Sequence, residues 1–198
     1  MQQLLVHTFQ LSKDEFFYSF KQQTNDLKER VFLESGRGGH YSIAAWHPFA
    51  KACSVETGLK IDWQNGKTEI QQGEALAQLE QLVKQYELEP NEQLPDFQGG
   101  AIGFITYDYA RTIEVFDEAT TDDLHVPDVF FYLFDHWAVH NVVTNEVTLM
   151  KLKTSVVDLQ QWQVEWENQA KSGLTTRHFH QEAATNAHQD ESELQVSF

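Results

Sequence analysis

The stretch Val129-Phe130-Phe131-Tyr132-Leu133-Phe134-Asp135-His136-Trp137-Ala138-Val139-His140-Asn141-Val142 decides how the fold is read. Phe130, Phe131, Tyr132, Phe134 and Trp137 fall close together, so both faces of a strand here carry aromatics. That pattern predicts one long central strand, covered on both sides. Thr144-Asn145 then turns it into a second strand, Glu146 to Leu152. Beyond that strand, Ser155 and Asp158 start a helix with Leu159, Trp162, Trp166 and Ala170 on one face and Gly173 as its stop.

Working toward the N-terminus, residues 115–127 read as an acidic loop and Asp108 to Glu114 as one or two helical turns. Gly99 to Tyr107 reads as a glycine-rich strand. Residues 88–98 form a loop with Pro90 and Pro95, and Ala75, Leu76, Leu79, Leu82, Val83 and Tyr86 mark a helix over about 74–87. Residues 51–70 alternate as strands do and are punctuated by Thr57-Gly58 and Asn65-Gly66, the second a hairpin signal. Tyr41 to Trp46 and Val31 to Ser35 are short strands, separated by a loop from Gly36 to Gly39. Ser12 with Glu15 forms a capping box for a helix over 13–29, and residues 2–9 are the first strand. The sum is an α+β fold of mainly antiparallel, sandwich-like β-sheets with about three packed helices.

A chain of 198 residues can bury its own core. Hydrophobic residues make up 41% and aromatics 13%, which argues against disorder. Acidic residues number 30 against 14 basic ones, giving a net charge of −16. Such a surface repels phosphate backbones and anionic lipid, so no nucleic-acid and no membrane partner is expected. Cys53 stands alone, which fits a reducing compartment, and the N-terminus has no basic region or long apolar run. The expected location is cytoplasmic.

Candidate chemistry is sparse. His136 and His140 share a face on the expected strand but stand about 13 Å apart, too far for one ion. Asp135 and His136 are sequence neighbours whose strand side chains point to opposite faces, which excludes a direct dyad. His178 and His180 lie in a polar tail. Ser35-Gly36-Arg37-Gly38-Gly39 lacks the lysine and following helix of a phosphate loop, and reads as a turn. The glycines of Gly99-Gly100-Ala101-Ile102-Gly103 are best explained by close approach of another backbone or a ligand, with packing the favoured cause. Asp108 and Arg111 are spaced for an ordinary ion pair or cap. Cys53 reads as a small buried hydrophobe. No complete catalytic constellation emerges.

Several segments in combination are more specific. They are Phe32-Leu33-Glu34-Ser35, then Tyr41-Ser42-Ile43 closing at Pro48, then Leu94-Pro95-Asp96-Phe97-Gln98-Gly99-Gly100-Ala101-Ile102-Gly103-Phe104 running into Tyr107-Asp108-Tyr109-Ala110-Arg111 and Glu114, with Pro127-Asp128 before the aromatic stretch. Over roughly residues 5–155 they resemble the N-terminal region of the chorismate-utilising synthases: anthranilate synthase component I and para-aminobenzoate (aminodeoxychorismate) synthase component I. The runs Glu34 to Ile43 and Asp96 to Arg111 look closest to the para-aminobenzoate branch.

The resemblance implies a part of a subunit that aminates chorismate, with ammonia delivered from glutamine by a separate glutaminase subunit. It places the chorismate and Mg2+ residues in a C-terminal half that this sequence lacks. Residues 1–171 are then the N-terminal domain and 172–198 a polar linker toward the catalytic domain. No catalytic residue, metal ligand or cofactor is expected within the chain, and no activity is expected from it alone. The resemblance also implies a candidate tryptophan pocket at Leu33, Glu34, Ser35, Tyr41, Ser42 and Ile43, with Phe32 or Tyr41 as a wall for the indole. The alternatives are the N-terminal domain of anthranilate synthase component I, or a free-standing tryptophan-binding module.

Overall fold

The aromatic stretch is two strands, not one. Val129–Leu133 runs in one sheet, the chain bends at Phe134 and Asp135, and His136–Asn141 runs in another. In the computed structural model, residues 3–34, 36, 38–112 and 126–172 are described. In chain order they form β1 (Leu4–Gln10), α1 (Lys13–Gln23), β2 (Arg30–Leu33), β3 (Tyr41–Trp46), β4 (Ala50–Val55), β5 (Gly58–Trp63), β6 (Thr68–Gln72), α2 (Ala75–Lys84), β7 (Ala101–Ile105), a 3-10 segment (Tyr107–Thr112), β8 (Val129–Leu133), β9 (His136–Asn141), β10 (Glu146–Leu152) and α3 (159–172).

Two five-stranded sheets result, ordered β1-β10-β9-β3-β2 and β6-β5-β4-β8-β7. Every pairing in them is antiparallel. The expected α+β class with three helices holds. β3 pairs with β9 in the first sheet, and β4 with β8 in the second. The same two-stranded ribbon therefore serves both sheets and is folded at one corner. On one arm of the corner, His47 adopts a φ of 55° just before Pro48. On the other, Leu133 accepts from the Phe49 amide at 2.9 Å. Both halves of the aromatic stretch hold inner positions in their sheets, as its composition predicts.

Three clusters make the core. α1 and α3 cover one face of the first sheet, where Phe16 is fully buried and stacks on Trp166 at 4.7 Å. α2 covers the second sheet through Leu79 and Leu82 against Leu59, Ile61 and Leu133. The third cluster gathers Trp137, Val139, Met150 and Leu152 of the first sheet with Ile102 of the second. Each large apolar side chain so buried contributes about 1.5–3 kcal/mol.

Local signals explain most element boundaries. Ser12 accepts from the Glu15 amide at 3.3 Å, and Glu15 accepts from the Ser12 amide at 2.8 Å, so the capping box is real. α1 stops sooner than the expected residue 29, because Thr24 ends it with its amide bonded to the Phe20 carbonyl. α3 is capped by Asp158, not Ser155: the carboxylate accepts from the amides of Gln160 and Gln161 at 2.9 and 3.0 Å. Gly66, at φ 84°, makes the turn between β5 and β6. Gly103 is required by crowding, since a Cβ there would lie 1.9 Å from the Phe130 carbonyl oxygen. Backbone approach is thus the reason for a glycine in that strand. Among the described residues no helix is long and apolar enough to cross a membrane.

Candidate functional site

The strands β2 and β3 carry four of the six expected pocket residues, and their register sorts them, while Glu34 directly follows β2. Leu33 lies opposite Ile43, and Phe32 opposite Ala44. Tyr41 lies opposite Asn141 and Ser42 opposite His140 on the neighbouring strand β9. Because strand side chains alternate, Val31, Leu33, Tyr41 and Ile43 share one face, and Phe32 and Ser42 the other. Leu33 is half exposed, whereas Tyr41 and Ile43 are partly buried against the third cluster. They form an apolar strip near the open end of the hairpin. Ser35 lies outside the described residues.

Phe32 is not a free wall. It packs beneath α1, with ring centres 5.9, 5.2 and 4.9 Å from Phe16, Phe17 and Phe20. Ser42 is almost fully buried on that same side and does not reach the strip. Glu34 pairs with Lys13 of α1 at 2.8 Å, both side chains largely exposed. Such a pair exchanges readily, because exposed salt bridges hold about 0–1 kcal/mol. The geometry therefore brings Leu33, Tyr41 and Ile43 together, leaves Glu34 at their edge, and turns Ser42 away.

One contact contradicts the reading from strand alternation. His136 Nδ1 lies 2.6 Å from Asp135 Oδ1. Asp135 sits in the bend before β9, not within a strand, so its side chain folds back onto its neighbour. Burial alone would push Asp135 up, but hydrogen bonds with His136 and Ser155 outweigh it and hold the carboxyl below its usual range. The missed signal was the Phe134–Asp135 break itself.

The remaining histidine reading holds. His136 and His140 point to the same helix-covered face: His136 stands edge-on to Trp162 at 5.0 Å and His140 stacks on Phe16 at 5.0 Å. His140 Nε2 bonds the Leu11 carbonyl at 2.9 Å, while Nδ1 has no hydrogen-bond partner. Burial lowers its pKa, against a smaller opposing effect of the Leu11 bond. Among the described residues no three His, Cys, Asp or Glu side chains gather to hold a metal ion. The magnesium implied by the resemblance has no fitting donor set there, and no metal-dependent step is assigned to them. Cys53 is only partly buried. Residues 115–125 of the expected acidic loop (115–127), residues 173–198 of the expected linker (172–198) with His178 and His180, and the Arg111 side chain lie outside the described residues.

No family model matches the chain. It is 41% identical over 129 residues to aminodeoxychorismate synthase component 1 of Bacillus subtilis, a match spanning 65% of this chain and 27% of that protein. It is 38% identical over 111 residues to a probable anthranilate synthase component 1 of Schizosaccharomyces pombe, covering 53% and 22%. Over the matched residues this chain is similar to component I of the aminodeoxychorismate and anthranilate synthases. It spans about a quarter of the length of the curated relatives it matches. The fold agrees with that of anthranilate synthase component I from Streptococcus pneumoniae, at a TM-score of 0.50 and 22% identity, over 78% of this chain and 34% of the other.

Proposed function

We propose that this chain is the N-terminal, non-catalytic part of an aminodeoxychorismate synthase component I. The complete subunit would aminate chorismate in para-aminobenzoate formation, using ammonia from a glutaminase subunit. The observation that carries this reading is the 41% identity to the Bacillus subtilis protein. The match to only about a quarter of the relatives' length supports a part of the subunit. The test is an assay of the chain with chorismate, ammonium and magnesium ions. No product is expected from the chain alone. Aminodeoxychorismate is expected once the rest of a component I is supplied in trans, and anthranilate would instead favour the other branch. Turnover by the chain alone would overturn the proposal.

A second reading rests on the apolar strip. Leu33, Tyr41 and Ile43 offer a surface for an indole, and Glu34 at the edge offers a carboxylate for an ammonium. The resemblance adds Ser35 and Ser42 to this proposed tryptophan pocket. Calorimetry with tryptophan checks it: a Kd below about 100 µM, roughly −5.5 kcal/mol, supports the site, and no heat at millimolar ligand removes it.

A further inference from the structure

At the other end of β3, away from the apolar strip, a cleft of about 560 Å³ opens between the corner of the ribbon and the start of α3. Its walls include Trp46 and Trp162, its floor the Asp135–His136 pair, and its rim Asp158 and Glu165. The volume suits a small organic molecule.

The sequence of α3 builds half of it. Asp158, Trp162 and Glu165 are spaced four and then three residues apart, which sets them along one helix face. Trp162 stands edge-on to Trp46 at 5.3 Å and to His136 at 5.0 Å, so three rings converge. Both tryptophans are more than nine-tenths buried and thus held in place by packing. His136 is also held, because its Nδ1 lies 2.6 Å from Asp135 Oδ1.

The electrostatics select one kind of occupant. Three carboxylates line the cleft and no lysine or arginine does, among the described residues. The Lys151 ammonium is engaged by the Ser155 and Val157 carbonyls, which belong to two residues of the lining. An anion would meet Asp135, Asp158 and Glu165 with no lysine or arginine to offset them, and of the two imidazoles in the lining, His47 and His136, the second is already paired with Asp135. A bare metal ion finds no set of three close donors. An organic ammonium is favoured by the carboxylates, with the tryptophan rings offering an apolar wall for its body.

We propose that this cleft binds a small organic ammonium ion, with the tryptophans taking its apolar body and Glu165 and Asp135 its charge. The site uses none of the residues proposed for chorismate chemistry or tryptophan binding.

The test uses two probes of the same ring and opposite charge, phenethylamine and 3-phenylpropionate, on the full chain. The readout is the indole N–H signals of Trp46 and Trp162 in heteronuclear NMR, assigned with Trp46→Phe and Trp162→Phe. Phenethylamine should shift them saturably and 3-phenylpropionate should not. Glu165→Gln, at an exposed position, should weaken phenethylamine by at least about threefold without changing the spectrum of the free protein. Asp135→Asn should weaken it similarly, and if that variant fails to fold, Glu165→Gln decides alone. Equal response to both probes, no saturable shift at millimolar amine, or unchanged affinity in Glu165→Gln would overturn the proposal.

Discussion

Ser12 and His140 show how much a single side chain carries. The Ser12 hydroxyl and Glu15 carboxylate satisfy two otherwise orphaned amides at the start of α1. Ser12→Ala should therefore cost about 1 kcal/mol, read from the urea midpoint. His140 is buried with an unpartnered Nδ1, and burial favours its neutral form. Its folded pKa is below its unfolded one, so the unfolded chain takes up the proton first as pH falls. The stability this gives is complete above the unfolded value of about 6.5 and is lost as pH drops through the folded one. Urea midpoints measured from pH 7 down to pH 5 should fall more steeply for the wild-type chain than for His140→Gln. Parallel pH profiles would show that another group sets the acid response. At this scale the sequence was informative. A capping box is a local pattern, and its partners lie within one turn.

Elements were legible where their signals are local, and illegible where another element decides them. The capping box, the Asn65-Gly66 turn and the leucine spacing of α2 each act within a few residues, and each element formed close to where the pattern put it. The Val129–Val142 stretch failed for a physical reason. Its aromatic run looks the same whether both faces belong to one sheet or successive residues belong to two. The bend at Phe134 and Asp135 carries no glycine or proline to mark it, because it is imposed by the paired arm turning at His47 and Pro48. Gly103 belongs to this scale as well. Gly103→Ala would drive a Cβ into the Phe130 backbone, where relief requires β7 to move away from β8. Amide exchange across Ile102 to Ile105 should accelerate markedly while that of β9 and β10 stays slow. Unchanged protection would mean that the strands separate at no cost.

The whole molecule leaves apolar surface on the second sheet's outer strand. Phe104, Ile105 and Tyr107 are 44%, 47% and 85% exposed, and Phe104 stacks on Phe130 at 5.5 Å. Among the described residues β7 has a partner on one side only. An apolar strand with an open edge invites pairing. Concentration-dependent self-association is expected in sedimentation velocity, and Phe104→Glu should suppress it. A monomer unaffected by concentration in the wild-type chain would refute this. The same scale governed the expected pocket. Leu33, Tyr41 and Ile43 were legible as neighbours, but the turning of Ser42 and Phe32 toward α1 depends on which face the helix covers.

By itself the sequence determined the α+β class, the capping box of α1, the tight turns and the resemblance to component I of the synthases, since these rest on local patterns and on the order of short motifs. Only the tertiary structure decided where the aromatic ribbon folds, which residues share a face, and that Asp135 meets His136. Those outcomes depend on strand pairing across long sequence separations, where the partner's backbone sets the register and the local residues follow it.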